Sequence, residues 1–406
     1  MVKTEKVNFL FPKIPTEGKP MTNQKSSGRC WIFACLNVIR TQVMKKFKVE
    51  DLEFSQNYLF FWDKASRQIH SIERINYMLE AYIDCAQKGE KPDGRLVHHL
   101  LHNPTEDGGQ WDMLINLVEK YGIVPIQCCP DVQSSESSMR MGRILNNKMS
   151  KEMTREFCMK LQKLVFDGSS EEAIQKTKIT MMEEIYRIVS ICLGSPPETF
   201  TWEYYDSDKK YNKIGPIKPV DFYKNHIKPI YNMEDKICIV NDPREMNVYD
   251  KLYTVDYLGN MTGGKMVLYI NQPVDMLKKL AMASIQAGEA VWFGCDVGKQ
   301  FSRKGGGILD LNVIDLDLVF GTSLLNMSKA ERLMYGESLM THAMVLTAVN
   351  IENSWGDGDG DKDDWFSEFV YEVVIDKKYI PDTILEVLKQ TPTVLPAWDP
   401  MGSLAN

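Results

Sequence analysis

No run of apolar residues in this chain approaches the ~20 needed to cross a bilayer, so a membrane-spanning helix is not expected. The N-terminal stretch Met1-Val2-Lys3-Thr4-Glu5-Lys6 lacks the apolar core and small-residue cleavage site of a secretory leader. No C-x-x-C occurs, which removes the usual sequence signal of a structural zinc site or a dithiol redox centre. Positive charge is in deficit as well. With 48 Lys and Arg against 55 Asp and Glu, the formal charge is −7, which argues against bulk nucleic-acid binding. No internal repeat or long low-complexity tract is present. What remains is a 406-residue chain that is 44% hydrophobic and 25% charged, the balance of an ordinary globular protein. That length suits about two to three domains, or one domain with large insertions.

The nine cysteines (Cys30, Cys35, Cys85, Cys128, Cys129, Cys158, Cys192, Cys238 and Cys295) are odd in number and irregularly spaced. They read as reduced thiols of a cytoplasmic protein rather than a disulfide framework. The neighbours Cys128 and Cys129 read as structural. One thiol stands apart. Cys30 falls at the start of a helical pattern in which Ile32, Cys35, Leu36, Ile39, Val43, Met44 and Phe47 recur at steps of three and four. Ser26, Ser27 and Gly28 are the expected entry residues. A thiol at a helix N-terminus is expected to have its pKa lowered by the backbone dipole. Gln24, six positions upstream (30 − 24), can turn its amide toward an oxyanion forming beside the sulfur. A lone cysteine is usually just a small buried hydrophobe; Gln24 and the adjacent Trp31 favour the chemical reading.

Six histidines are present. His98, His99 and His102 cluster on a polar segment and read as a solvated helix face, and His70 and His226 sit among charges. Only His342 opens an apolar strand and is followed by Glu352-Asn353-Ser354-Trp355-Gly356. A nucleophilic thiol needs a base and an orienting group for that base, and His342 and Asn353 fit the two roles, with Trp355 as a shield from water.

The first half is expected to be mainly helical. Helices are expected at Trp111 to Tyr121 and from a Ser169/Glu172 capping box through Cys192 to Gly194. The second half is expected to be richer in strands, at 236–240, 252–257, 266–270 and 290–295, with a helix over 273–286 and an apolar run over 342–351.

The set Gln24, Cys30, His342 and Asn353 resembles the papain-like cysteine peptidases. Further stretches bring the resemblance close to a barrel-forming aminopeptidase branch of that superfamily. They are Glu17 to Phe33, Asp107-Gly108-Gly109-Gln110-Trp111-Asp112-Met113, Pro196 to Tyr204, Met340-Thr341-His342-Ala343-Met344 and Leu395 to Gly402. The resemblance implies an α+β fold with a papain-like two-lobed core and large helical insertions. It implies Cys30 as nucleophile, His342 as base, Asn353 as orienter and Gln24 as oxyanion donor. Gly108 and Gly109 match the pair along which an extended substrate lies, where the lack of a Cβ lets two backbones approach.

The same resemblance implies a homohexamer, no metal or other cofactor, peptide and amide substrates with a free N-terminus, and a C-terminal tail whose Asn406 carboxylate limits cleavage to one N-terminal residue. The implied layout is a helical lobe over 1–135, a helical insertion over 136–235, a strand-rich lobe over 236–390 and the tail over 391–406. Two departures stand out. His342 and Asn353 are 11 positions apart (353 − 342), shorter than the family's strand–turn–strand, so a catalytically impaired barrel-forming homologue is the alternative. The chain before Gln24 is also shorter than the family's. The acidic run Asp357 to Asp364, with Glu368, imitates a calcium loop, but Lys362 stands where that loop wants glycine, so a solvated acidic loop is expected.

Overall fold

The computed structural model describes residues 14, 20–64, 73–91, 93–102, 107–143, 159–298, 301–302, 308–309, 316–322, 326–348 and 365–405. The principal helices are α1 (Cys30–Phe47), α2 (Gln56–Lys64), α3 (Glu73–Gln87), α4 (Arg95–His102), α5 (Trp111–Tyr121), α6 (Glu171–Leu193) and α7 (Val274–Gln286). The principal strands are β1 (Phe200–Tyr205), β2 (Tyr211–Ile217), β3 (Lys236–Val240), β4 (Lys251–Val255), β5 (Tyr269–Asn271), β6 (Val291–Cys295), β7 (His342–Leu346), β8 (Val370–Asp376) and β9 (Thr393–Leu395).

Seven strands form one sheet in the order β9-β4-β5-β3-β8-β6-β7. The middle strands β3, β8 and β6 are buried along nearly their whole length and are mostly apolar, with Lys236 at the start of β3 and Glu372 within β8 as buried charged exceptions. β8 lies antiparallel to both β3 and β6, and β7 closes the sheet edge with His342 opposite Cys295. α1 packs against β6 and β7, and α7 covers β8. The helices α2, α3, α5 and α6 pack on one another beyond α1, around Phe60, Phe61, Trp62 and Leu114. Trp111 and Trp292 meet edge to face with centroids 6.0 Å apart, and so join α5 to the sheet. No helix among the described residues is long and apolar enough to cross a membrane.

Several expected boundaries hold and some move. Gly194, at φ 76°, ends α6 as expected. The N-cap of α6 is Ser170 rather than Ser169, because the Ser170 hydroxyl is the one that reaches the backbone N–H of Ala173. The strand expected at 266–270 is shifted to Tyr269–Asn271. The antiparallel hairpin β1–β2 lies within the segment expected to be a helical insertion. The acidic run 357–364 lies outside the described residues.

Candidate active site

α1 begins at Cys30, but none of the expected entry residues caps it with a side chain. The N-cap is Arg29, and no side-chain hydrogen bond closes the first turn. A buried electrostatic clamp holds the loop instead. Arg29 is fully buried and makes a two-pronged contact with Asp131, at 2.7 and 3.3 Å. Its Nε donates to the Ser27 hydroxyl at 3.1 Å, and its guanidinium lies over the rings of Phe33 and Phe60. Ser27 Oγ donates in turn to the Gln24 carbonyl at 2.6 Å, while Gln24 Nε2 donates to the Ser27 carbonyl at 2.7 Å. Asp131, Arg29, Ser27 and Gln24 thus form one chain of polar contacts that sets the loop before Cys30. An amide nitrogen carries two N–H groups, so Gln24 keeps a second donor beside the one given to Ser27.

Cys30 is 5% exposed and sits where α1 meets β7. Burial raises its thiol pKa, opposed by the backbone N–H groups of Ala343, Trp31 and Cys30 itself. The expected lowering by the helix dipole is therefore overturned: the cost of charging sulfur out of water exceeds what the helix N-terminus returns. The Ala343 contact puts the sulfur beside the residue that follows His342. His342 is half-buried, and burial lowers its pKa. Both shifts favour the uncharged pair, with the proton on sulfur and the imidazole able to accept it.

Gly108 and Gly109 follow on the other side of Trp31. The Trp31 indole N–H donates to the Asp107 carbonyl at 2.6 Å, and Arg74 Nη1 donates to the Gly108 carbonyl at 2.7 Å. Both glycines are buried. A Cβ on Gly109 would lie 2.6 Å from the Trp31 ring, so glycine is what lets this backbone rest on the indole. Trp292 Nε1 donates to the Trp31 carbonyl at 3.3 Å and ties the helix start to β6.

The C-terminal segment ends near the same place. Arg244 bridges Asp242 and Asp399 at 2.7 and 2.8 Å in a buried pairing. Arg95 stacks over Trp398 at 4.2 Å, and Ser403 Oγ donates at 3.0 Å to the carbonyl of Met340, two residues before His342. Asn353 and Asn406 lie outside the described residues. The Cys30 sulfur is set against Ala343, next to His342, and Gln24 lies on the loop that leads into Cys30; Asp131 and Arg29 are the members that sequence reasoning misses. An arginine directly before a buried helix start is the available signal, because a charge placed there needs a partner.

A sequence model of the Peptidase C1-like family matches residues 2–402. The chain belongs to that family. Bleomycin hydrolase of Mus musculus is 60% identical over 412 residues, covering 97% of this chain and 88% of that protein. Aminopeptidase C of Lactobacillus delbrueckii subsp. lactis is 40% identical over 405 residues, covering 95% and 86%. The crystal structure of PepW from Lactobacillus rhamnosis HN001 (DR20) matches with a TM-score of 0.87 at 44% identity, covering 97% of this chain and 89% of that one. The papain-like cysteine peptidase resemblance read from the motifs, and its closeness to bleomycin hydrolase, are therefore supported along the whole chain. Cys30 stands at the N-terminus of a buried helix, and His342 stands on a sheet-edge strand packed against that helix.

Proposed function

We infer that this protein is a cysteine aminopeptidase that removes N-terminal residues from peptides and hydrolyses related amides, the bleomycin-type amide among them. The observation that carries the reading is the Cys30 sulfur held against the backbone of Ala343, next to His342. His342 takes the thiol proton as the Cys30 sulfur attacks the carbonyl carbon. The oxyanion is met by the free N–H of Gln24 and the backbone N–H of Cys30. The intermediate collapses, the amine leaves with the proton from His342, and water hydrolyses the acyl-enzyme. Asn353 is assigned to orient His342, and Gly108 and Gly109 to align the substrate backbone. The Asn406 carboxylate is assigned to pair with the α-ammonium of the substrate, a charge-assisted contact, and the contacts of Asp399 and Ser403 that hold the preceding segment support that role.

In this reading the core is two-lobed with helical insertions. The lobes span 1–135 and 236–390, the insertion 136–235, and the tail 391–406. The enzyme works as a cytoplasmic homohexamer without a cofactor. A second reading rests on the 11-residue spacing from His342 to Asn353, which favours a barrel-forming homologue that has lost turnover. Labelling with a thiol-directed peptidase inhibitor, combined with assays on matched free and N-acetylated peptides, separates the two. The aminopeptidase reading expects labelling that disappears in Cys30→Ala and cleavage of the free peptide alone. Absent labelling with absent turnover establishes the second reading. Equal cleavage of both peptides overturns the role of the tail.

A further inference from the structure

α4 carries three histidines that the peptidase chemistry does not use, and they split between two faces. Val97 and Leu100 are buried and hold the inner side of the helix. Arg95 and His99, four positions apart, face the C-terminal segment. The Arg95 guanidinium stacks on Trp398 at 4.2 Å, and the His99 ring meets the same indole edge to face at 6.4 Å. His99 is also hydrogen-bonded to the backbone of Ala397. Those two side chains are committed. His98 and His102, also four positions apart, form the other column, and both are exposed. Their ring centroids are 6.3 Å apart with an interplanar angle of 32°.

We propose that His98 and His102 form a two-histidine chelate for a divalent first-row transition cation such as Ni²⁺, Zn²⁺ or Cu²⁺, with water in the remaining positions. Residues at i and i+4 stand one above the other on a helix, as in metal sites where two histidines on one helical face share an ion. Metal–nitrogen bonds of about 2.0–2.1 Å to one nitrogen of each ring put the centroids roughly 4.5–5.2 Å apart at octahedral or tetrahedral angles. The rings must therefore close by about 1–2 Å, a movement that side-chain rotation of two solvent-facing imidazoles supplies. Imidazole is a ligand that suits Zn, Cu and Ni. The nearest cation on the helix, Arg95, is drawn to the Trp398 side and does not cover the pair. No group of three or more His, Cys, Asp or Glu is placed to hold an ion among the described residues, so this is a two-ligand site and is expected to be of moderate affinity.

The test is calorimetric titration of the untagged full-length protein with Ni²⁺, which prefers imidazole over the buried thiols. Wild type, His98→Gln, His102→Gln and a His226→Gln control are compared. Wild type and the control should each bind one Ni²⁺ per chain. Each of His98→Gln and His102→Gln should weaken that binding at least about tenfold, because one ligand cannot chelate. Peptide hydrolysis in the presence of a chelator should be unchanged in both variants, which shows that they fold. Ni²⁺ affinity equal to wild type in His102→Gln, or loss of binding in His226→Gln instead, would overturn the assignment. So would the absence of any Ni²⁺ binding by the wild type.

Discussion

Replacing Asp131 with Asn tests whether the loop before Cys30 is set by a buried charge pair. Arg29 is 0% exposed and Asp131 is 19% exposed, with N–O distances of 2.7 and 3.3 Å. Asparagine retains the size and one acceptor but removes the countercharge, so a guanidinium is left without compensation among Phe33, Phe60 and the start of α1. Breaking a buried pair in this direction costs about 3–5 kcal/mol. The partial exposure of Asp131 puts the expected value near the lower end, about 3 kcal/mol. Chains of this length often unfold irreversibly, so the assay is the apparent Tm at one fixed scan rate. At an unfolding entropy of roughly 2.1 cal/mol/K per residue, a fall of about 3–4 °C is expected for this 406-residue chain. The kcat on a free-N-terminus peptide should fall as well, because Ser27 and Gln24 are held through Arg29. The double variant Arg29→Met with Asp131→Leu should regain most of the stability, since apolar groups can replace a buried pair, but not the kcat. An apparent Tm of Asp131→Asn within about 1 °C of wild type would refute the argument.

Two further outcomes follow from buried groups. Glu372 on β8 is fully buried, and neither carboxyl oxygen makes a hydrogen bond of normal geometry among the described residues. Burial pushes its pKa up to about 8; the Cys238 thiol works the other way, while Asp112 adds to the rise. The folded chain therefore holds a proton that the unfolded chain releases near pH 4.5, and this contribution to stability is lost as pH rises toward 8. Glu372→Gln removes that slope, and its stability relative to wild type should grow by up to about 4 kcal/mol between about pH 5 and 8; parallel pH profiles in chemical denaturation would contradict this. Gly109→Ala puts a methyl 2.6 Å from the Trp31 ring, whose indole is held by the Asp107 carbonyl. A loss of about 1–3 kcal/mol with a raised KM is expected, and wild-type values of both in thermal and kinetic assays would remove Gly109 from the site.

Much of the site is legible in the amino-acid sequence. The spacing of apolar residues after Cys30 determines a buried helix, and a cysteine at its first position with a glutamine six residues earlier determines where to look for chemistry. His342 stands out because it alone among the histidines opens an apolar strand. These are local signals, written within a few turns of chain. The motifs spread from residue 17 to residue 402 also determine the family, because their order and spacing are specific in combination. The hairpin β1–β2 is only half legible: Phe200, Trp202 and Tyr204 alternate with Thr201 and Glu203 along β1, but its partner β2 contains Gly215 and Pro216, which read as strand breakers.

Other features depend on partners far away in sequence. The pairing of Arg29 with Asp131 spans 102 positions, and neither residue announces the other. The direction of the Cys30 shift escapes a local reading because the helix dipole is a local property, whereas the desolvation that outweighs it comes from β7 lying across α1. The split of the α4 histidines into a column turned to Trp398 and a column turned to solvent is likewise decided by where the C-terminal segment docks. Sequence determined which groups could react and on which element each stands. Tertiary structure alone decided their protonation and their company, because burial and charge pairing are set by whatever the rest of the chain brings against them.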